Sequence, residues 1–183
     1  MNRKYVELTT KPDIQKIQNE MLLFWKKESI FEKSVELNES EEIVFYDGPP
    51  FPTGKPHHGT VLVSFIKDMI ARYWTMRGYS VPRVWGWDCH GLPIENQVET
   101  ILGIDDKNEI EKRIGVDTFN EKCYEIVSNN NDSWKEYVEQ MARWVDYDNA
   151  YKTMNVDFME SVIWAFKQCY DKGYIYRDYR VTP

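Results

Sequence analysis

Between Gly59 and Trp74 the apolar residues Val61, Leu62, Phe65, Ile66, Met69, Ile70, Tyr73 and Trp74 recur in pairs four residues apart, the strongest helical periodicity in the chain. What flanks this helix restricts the fold further. Ile43-Val44-Phe45-Tyr46 is a short apolar run rich in strand formers and predicts a buried strand. A glycine- and proline-rich loop, Asp47 to Gly59, joins it to the helix. Beyond the helix, Gly78 suits the left-handed position after a C-cap. Tyr79 to Trp85 then predicts a second strand, in which Pro82 removes one ladder donor. Strand, loop, long helix and strand make a βαβ unit. The fold class read from it is α/β, with three or four mostly parallel strands and flanking helices.

The remaining segments fit that class. Pro12-Asp13 predicts a helix start, with Ile14, Ile17, Met21, Leu22 and Trp25 at helical spacing. A helix carrying Ile94, Val98, Ile101 and Leu102 is expected to end at Gly103. Residues 105–145 are mostly polar and read as a helical insertion. Within it Trp134, Val138 and Met141 share one face after the cap candidates Asp132 and Ser133, and Asn129-Asn130-Asn131 marks an inter-helix turn. Asn155 or Asp157 can cap a helix bearing Phe158, Val162, Ile163, Phe166 and Tyr170, closed by Gly173. A last strand is expected over Tyr174 to Val181.

Composition narrows the function classes. The 183 residues, 42% apolar, suffice to bury a core. A net charge of −7 excludes a general electrostatic nucleic-acid binder, so any RNA contact is local or lies elsewhere. No apolar run approaches the roughly 18 residues of a membrane span. The N-terminus lacks the apolar stretch of a signal peptide, so a cytoplasmic location, with no membrane partner, is expected. Cys89, Cys123 and Cys169 are widely spaced and are expected to be reduced thiols.

Chemistry is concentrated in two loops. They hold all three histidines, His57, His58 and His90, and five of the eight prolines. In the first, Gly48-Pro-Pro-Phe-Pro-Thr-Gly54-Lys55 differs from a Walker loop. Five residues separate the glycines, Pro56 replaces the magnesium-binding hydroxyl, and prolines 49, 50 and 52 lack amide donors. The loop instead places His57 and Gly59 at a helix N-terminus, where amides and the helix dipole attract phosphate. A rigid loop with a capping histidine explains the same residues.

The second loop, Gly86-Trp-Asp-Cys-His-Gly-Leu-Pro93, follows a predicted strand and precedes a helix, where ligands bind in open parallel sheets. Asp88 can hold an ammonium group or a ribose hydroxyl, and Trp87 can wall a pocket; Asp88 can equally be a loop or N-cap aspartate. Cys89-His90 makes a poor nucleophile and base pair, because such partners meet in space and seldom in sequence. Too few ligands are visible for zinc.

Together the loops resemble the class I aminoacyl-tRNA synthetases. Asp47-Gly-Pro-Pro-Phe-Pro-Thr-Gly-Lys-Pro-His-His-Gly-Thr60 is similar to the stretch carrying the family's first signature, usually His-Ile-Gly-His. Gly86-Trp-Asp-Cys-His-Gly-Leu-Pro-Ile-Glu95 is similar to the next loop in the form found in isoleucine-specific members. The resemblance extends to Trp144-Val-Asp-Tyr-Asp-Asn-Ala-Tyr-Lys-Thr-Met154 and Phe166-Lys-Gln-Cys-Tyr-Asp-Lys-Gly173.

The resemblance implies the first half of a Rossmann-like nucleotide-binding domain over residues 43–183, preceded by an N-terminal helical segment, 1–42. It also implies ATP-dependent activation of isoleucine to the adenylate and transfer to tRNA(Ile). Magnesium would arrive with ATP, and no protein-bound zinc is expected in this segment. His57, Gly59 and Thr60 would contact ATP, with His57 and Thr60 as the catalytic pair. Gly48, Pro49, Trp87 and Asp88 would line the amino-acid site, Asp88 holding the ammonium. Thr60 stands where the family has a second histidine; its hydroxyl donates one hydrogen bond but cannot become cationic. The sequence stops about where the family inserts its editing domain, so a C-terminal remainder is an expected partner. A truncated, non-catalytic relative that binds nucleotide or a synthetase is the second reading.

Overall fold

In a computed structural model the chain is described over residues 12–36, 41–52, 54–129 and 131–181. The elements in chain order are α1 (Ile14–Lys27), α2 (Ile30–Glu36), α3 (His58–Met76), β1 (Val84–Trp87), α4 (Leu92–Leu102), a π-helical turn (Ile110–Ile114), α5 (Val116–Asn129), α6 (Asn131–Gln140), β2 (Asp146–Lys152) and α7 (Val156–Asp171). Two compact units form. One contains residues 1–45, 58–82 and 136–144, and the other 46–57, 83–135 and 145–183.

In the first unit the expected helix start at Asp13 is present: its Oδ1 accepts the Lys16 amide at 3.0 Å, satisfying a donor that has no intrahelical partner. Lys26 and Lys27 lie in the last turn of α1, where the helix dipole favours cations. The predicted long helix is α3, and Gly78 after it adopts φ +97° as expected.

Arg72 of α3 ties this unit together. Its Nε donates to Asp68 Oδ2 at 2.6 Å and its Nη2 to the Ala142 carbonyl, while its guanidinium carbon sits 3.8 Å from the Trp144 ring centroid and 5.4 Å from that of Trp25. Asp68 in turn accepts the Trp144 amide at 3.0 Å. Lysine at position 72 would keep the charge but lose the planar fork and the stacking. We expect Arg72→Lys to destabilise the fold by about 2 kcal/mol, read from the urea midpoint; an unchanged midpoint would show that the fork contributes nothing.

The predicted strand at Ile43–Tyr46 is reduced to one parallel bridge, Glu42 with Ser80. It is made by Ile43 N–H to Ser80 O (2.8 Å) and Ser80 N–H to Glu41 O (2.9 Å). Val44 and Tyr46 are exposed, so the apolar run is not the buried strand its composition suggested.

The second unit holds the sheet. β1 begins five residues later than the predicted second strand and pairs in parallel with β2, with Val84 opposite Asp146, Gly86 opposite Tyr151 and Trp87 opposite Lys152. The uneven spacing marks a bulge on β2, where Asn149 turns back onto the Asp146 carboxylate through its amide N–H and its side-chain Nδ2. Trp85 and Trp87 are almost fully buried and form an aromatic cluster with Trp134 and Tyr147, centroids 5.3–6.2 Å apart.

The helices predicted after the second loop are present. α4 carries buried Ile94 and Val98 and ends at Gly103 with φ +61°. Val98, Ile104 and Phe119 make a second core cluster, with Leu102, Ile110, Ile114, Cys123 and Ile126 packed against it. Residues 105–145 are largely helical, as expected. α5 ends at Asn129 and α6 begins at Asn131; the middle of the turn expected there, Asn130, lies outside the described residues. α6 begins at Asn131, one residue before the first of the expected caps, Asp132 and Ser133.

α7 starts after Asn155 and is closed by Gly173 at φ +74°. It buries none of its residues. The predicted last strand over Tyr174–Val181 is absent: residues 174–181 form no strand, and Tyr174, Tyr176, Tyr179 and Val181 stand exposed. Tyrosine and valine favour strands only where a neighbouring strand and a buried face are available. Among the described residues no helix is long and apolar enough to cross a membrane.

Candidate functional site

β1 delivers the second loop. Its buried Trp85 and Trp87 fix the strand, and the chain leaves the sheet edge at Asp88, Cys89 and His90 before Gly91, at φ +96°, opens α4. Asp88 is half-buried, Cys89 buried and His90 exposed. The Asp88 amide donates to the Pro50 carbonyl at 2.9 Å, which joins the second loop to the first.

Within the same unit the first loop is held at two further points. Tyr151 Oη donates to the Asp47 carbonyl at 3.2 Å, and the Trp134 indole N–H donates to the Gly54 carbonyl at 3.2 Å. Gly54 adopts φ +85°, a conformation in which an L side chain is strained. Gly48 is exposed, with open space where a side chain would start, and Pro49 is half-buried. The structure thus brings Gly48, Pro49 and Asp88 into two mutually bonded loops, with the Trp87 ring buried in the aromatic cluster of the strand that delivers Asp88.

The electrostatics of this part are anionic. Burial pushes the Tyr151 phenol above its ordinary range, and the charges of Asp47 and Asp88 push it further the same way. The phenol therefore stays protonated, a hydrogen-bond donor, throughout the neutral range.

His57 belongs to the second unit and immediately precedes α3; Gly59 and Thr60 lie in the first turn of α3, in the first unit. Both occupy the N-terminal turn of the helix, at the positive end of its dipole.

Burial raises the Cys89 thiol above its usual range, and its Sγ faces the Trp87 carbonyl at 3.5 Å. The thiolate is the nucleophilic form of cysteine, and burial disfavours it here. Cys89, Cys123 and Cys169 are all free thiols.

Sequence reasoning missed Tyr151 and Thr153. Tyr151 lies over Gly86, and Thr153 Oγ1 accepts the Cys89 amide at 2.8 Å. A signal existed for the first: a lone glycine between two tryptophans inside a strand marks a close approach of another group. Nothing in the segment Asp146–Lys152 reads as a strand, so neither partner could be placed.

The isoleucine–tRNA ligase of Corynebacterium efficiens is 52% identical over 168 residues, covering 91% of this chain and 16% of that protein. That of Ehrlichia canis is 48% identical over 184 residues, covering 100% of this chain and again 16% of the relative. The chain thus spans about 16% of the length of the curated relatives it matches. Among solved structures, the Agrobacterium radiobacter K84 agnB2 LeuRS, in a ternary complex with tRNA and LeuAMS, superposes with a TM-score of 0.64 over 92% of this chain and 19% of its own; at 24% identity it speaks for the fold. Residues 20–183 match the family described as tRNA synthetases class I (I, L, M and V), and the chain belongs to that family.

Proposed function

We propose that this chain is the N-terminal part of the catalytic domain of an isoleucine–tRNA ligase, acting in ATP-dependent formation of isoleucyl adenylate and transfer to tRNA(Ile). The observation that carries the reading is the bond from the Asp88 amide to the Pro50 carbonyl, which joins the two loops, in a chain about half identical to ligases of that specificity. Asp88 holds the isoleucine ammonium, Gly48 and Pro49 line the pocket, and Trp87 supports it from the core. His57, Gly59 and Thr60 take ATP, whose phosphates suit the N-terminal end of a 19-residue helix. We infer that the domain begins at residue 43, after an N-terminal segment, 1–42, whose described part holds the helices α1 and α2.

In this reading the isoleucine carboxylate attacks the α-phosphorus, and pyrophosphate leaves. ATP brings its own magnesium, which neutralises phosphate charge. Among the described residues no group of three or more His, Cys, Asp or Glu side chains is arranged to hold a metal ion. The chain contributes placement and hydrogen bonds: Asp88 orients the amino acid, while His57 and the Thr60 hydroxyl donate to charge developing at the α-phosphate.

A chimaera in which this chain replaces the matching segment of the Corynebacterium efficiens ligase tests the reading. ATP–pyrophosphate exchange that depends on isoleucine is expected. A folded, soluble chimaera without exchange would overturn the proposal.

A further inference from the structure

Thr153 follows β2 directly and meets the second loop at three points. Its backbone N–H donates to the Trp87 carbonyl at 3.1 Å, continuing the ladder. Its Oγ1 accepts the Cys89 amide at 2.8 Å and lies 3.3 Å from His90 Nδ1. A threonine hydroxyl has one proton and two lone pairs. The Cys89 amide occupies a lone pair, so the proton is available for an acceptor, and an unprotonated Nδ1 is one at hydrogen-bond distance. The Cys89 sulfur also lies within hydrogen-bond reach of the Thr153 side chain, but a thiol sulfur is a weaker acceptor than an imidazole nitrogen, and its own proton is directed to the Trp87 carbonyl.

We propose that Thr153 is a positioning residue for the Asp88 loop: its hydroxyl clamps the Cys89 amide and holds His90 as the Nε2–H tautomer. Asp88 is then fixed from both sides, its own amide on the Pro50 carbonyl and the next amide on Thr153. A carboxylate on a doubly held backbone is preorganised for its ligand. Only this consequence for ligand binding rests on the assignment of Asp88 as the ammonium anchor; the clamp stands on the geometry.

Nitrogen-15 NMR of the chain at about pH 8.5, above the ordinary imidazole range, reads the clamp without any ligand. In the wild type His90 is expected in the Nε2–H form, with Thr153→Ser the same. In Thr153→Val the two tautomers should mix, and Cys89 amide exchange should accelerate about 5-fold, as for one lost hydrogen bond. The Thr153 amide, whose bond to Trp87 survives in every variant, serves as the internal control. A wild-type His90 in the Nδ1–H form overturns the inference whether or not the valine variant folds, as does a Cys89 amide equally protected in Thr153→Val.

In the chimaera Thr153→Val should raise the isoleucine KM about 5- to 10-fold, with serine restoring it and kcat changing less than 2-fold. A KM that stays put while the tautomer is released would refute the positioning role. A chimaera with no exchange at all would instead count against the proposed function and leave the NMR result intact.

Discussion

Asparagine in place of Asp88 is expected to lower kcat/KM for isoleucine about 10²-fold in the chimaera, mainly through KM, with the KM for ATP little changed. The substitution keeps the size of the side chain and the Asp88 amide on the Pro50 carbonyl, so the two loops stay joined. What it removes is charge. Breaking a hydrogen-bonded charge pair costs about 2–5 kcal/mol, and a half-buried position falls in the lower part of that range, near 3 kcal/mol. A tenfold change corresponds to about 1.4 kcal/mol, which gives the two orders of magnitude. In the proposed role of Asp88 the ammonium stays bound through the transition state, so the loss would be shared by ground and transition states and appear in KM. Exchange kinetics with isoleucine and ATP varied in turn measure it. An isoleucine KM equal to that of the parent would remove Asp88 from the amino-acid site.

The helices α1, α3, α4 and α7 were legible because each carries its own punctuation: Asp13 at one start, Gly78, Gly103 and Gly173 beyond three ends, and apolar residues at helical spacing between. Such signals act within a few residues, where local geometry decides. Strands depend on partners. Asp146-Tyr-Asp-Asn-Ala-Tyr-Lys is rich in residues that disfavour strands, yet it pairs with β1 because Trp85 and Trp87 anchor that neighbour. Conversely, Tyr174–Val181 has strand-forming residues and no ladder. The same divide runs through the site. The two loops stood out by their prolines, histidines and glycines, and the structure joins the first to the second through Pro50 and Asp88. The residues that hold them, Tyr151 and Thr153, sit at the end of a strand visible only once its partner is known.

Alanine at Gly86 is expected to destabilise the fold by about 3 kcal/mol, more than most single substitutions. An added Cβ would stand 2.2 Å from Tyr151 Cζ, 2.4 Å from Cε1 and 2.5 Å from Oη, all far inside contact distance. A tyrosine ring can often swing aside, but this one is held on two sides. It stacks on Phe158 with centroids 5.6 Å apart and planes 5° from parallel, and its hydroxyl donates to the Asp47 carbonyl. Turning it out forfeits about 1 kcal/mol of aromatic contact and about 1 kcal/mol of hydrogen bond, and leaves the space it filled. The other escape, a shift of β1, would drag Trp85 and Trp87 out of a packed cluster at a cost of about 1–3 kcal/mol. If the ring is the obstacle, removing it removes the penalty. In a Tyr151→Ala background, Gly86→Ala should cost less than about 1 kcal/mol, a coupling of about 2 kcal/mol between two residues in contact. Urea denaturation of the four proteins of this cycle measures it, and additive effects would show that the strain lies elsewhere. The glycine also bears on the site, since a displaced Tyr151 ring releases the Asp47 carbonyl and with it one of the bonds that hold the first loop. Gly86→Ala should therefore raise the isoleucine KM in the chimaera even at temperatures where the protein remains folded, whereas a purely global loss of stability would leave the KM of the folded fraction unchanged.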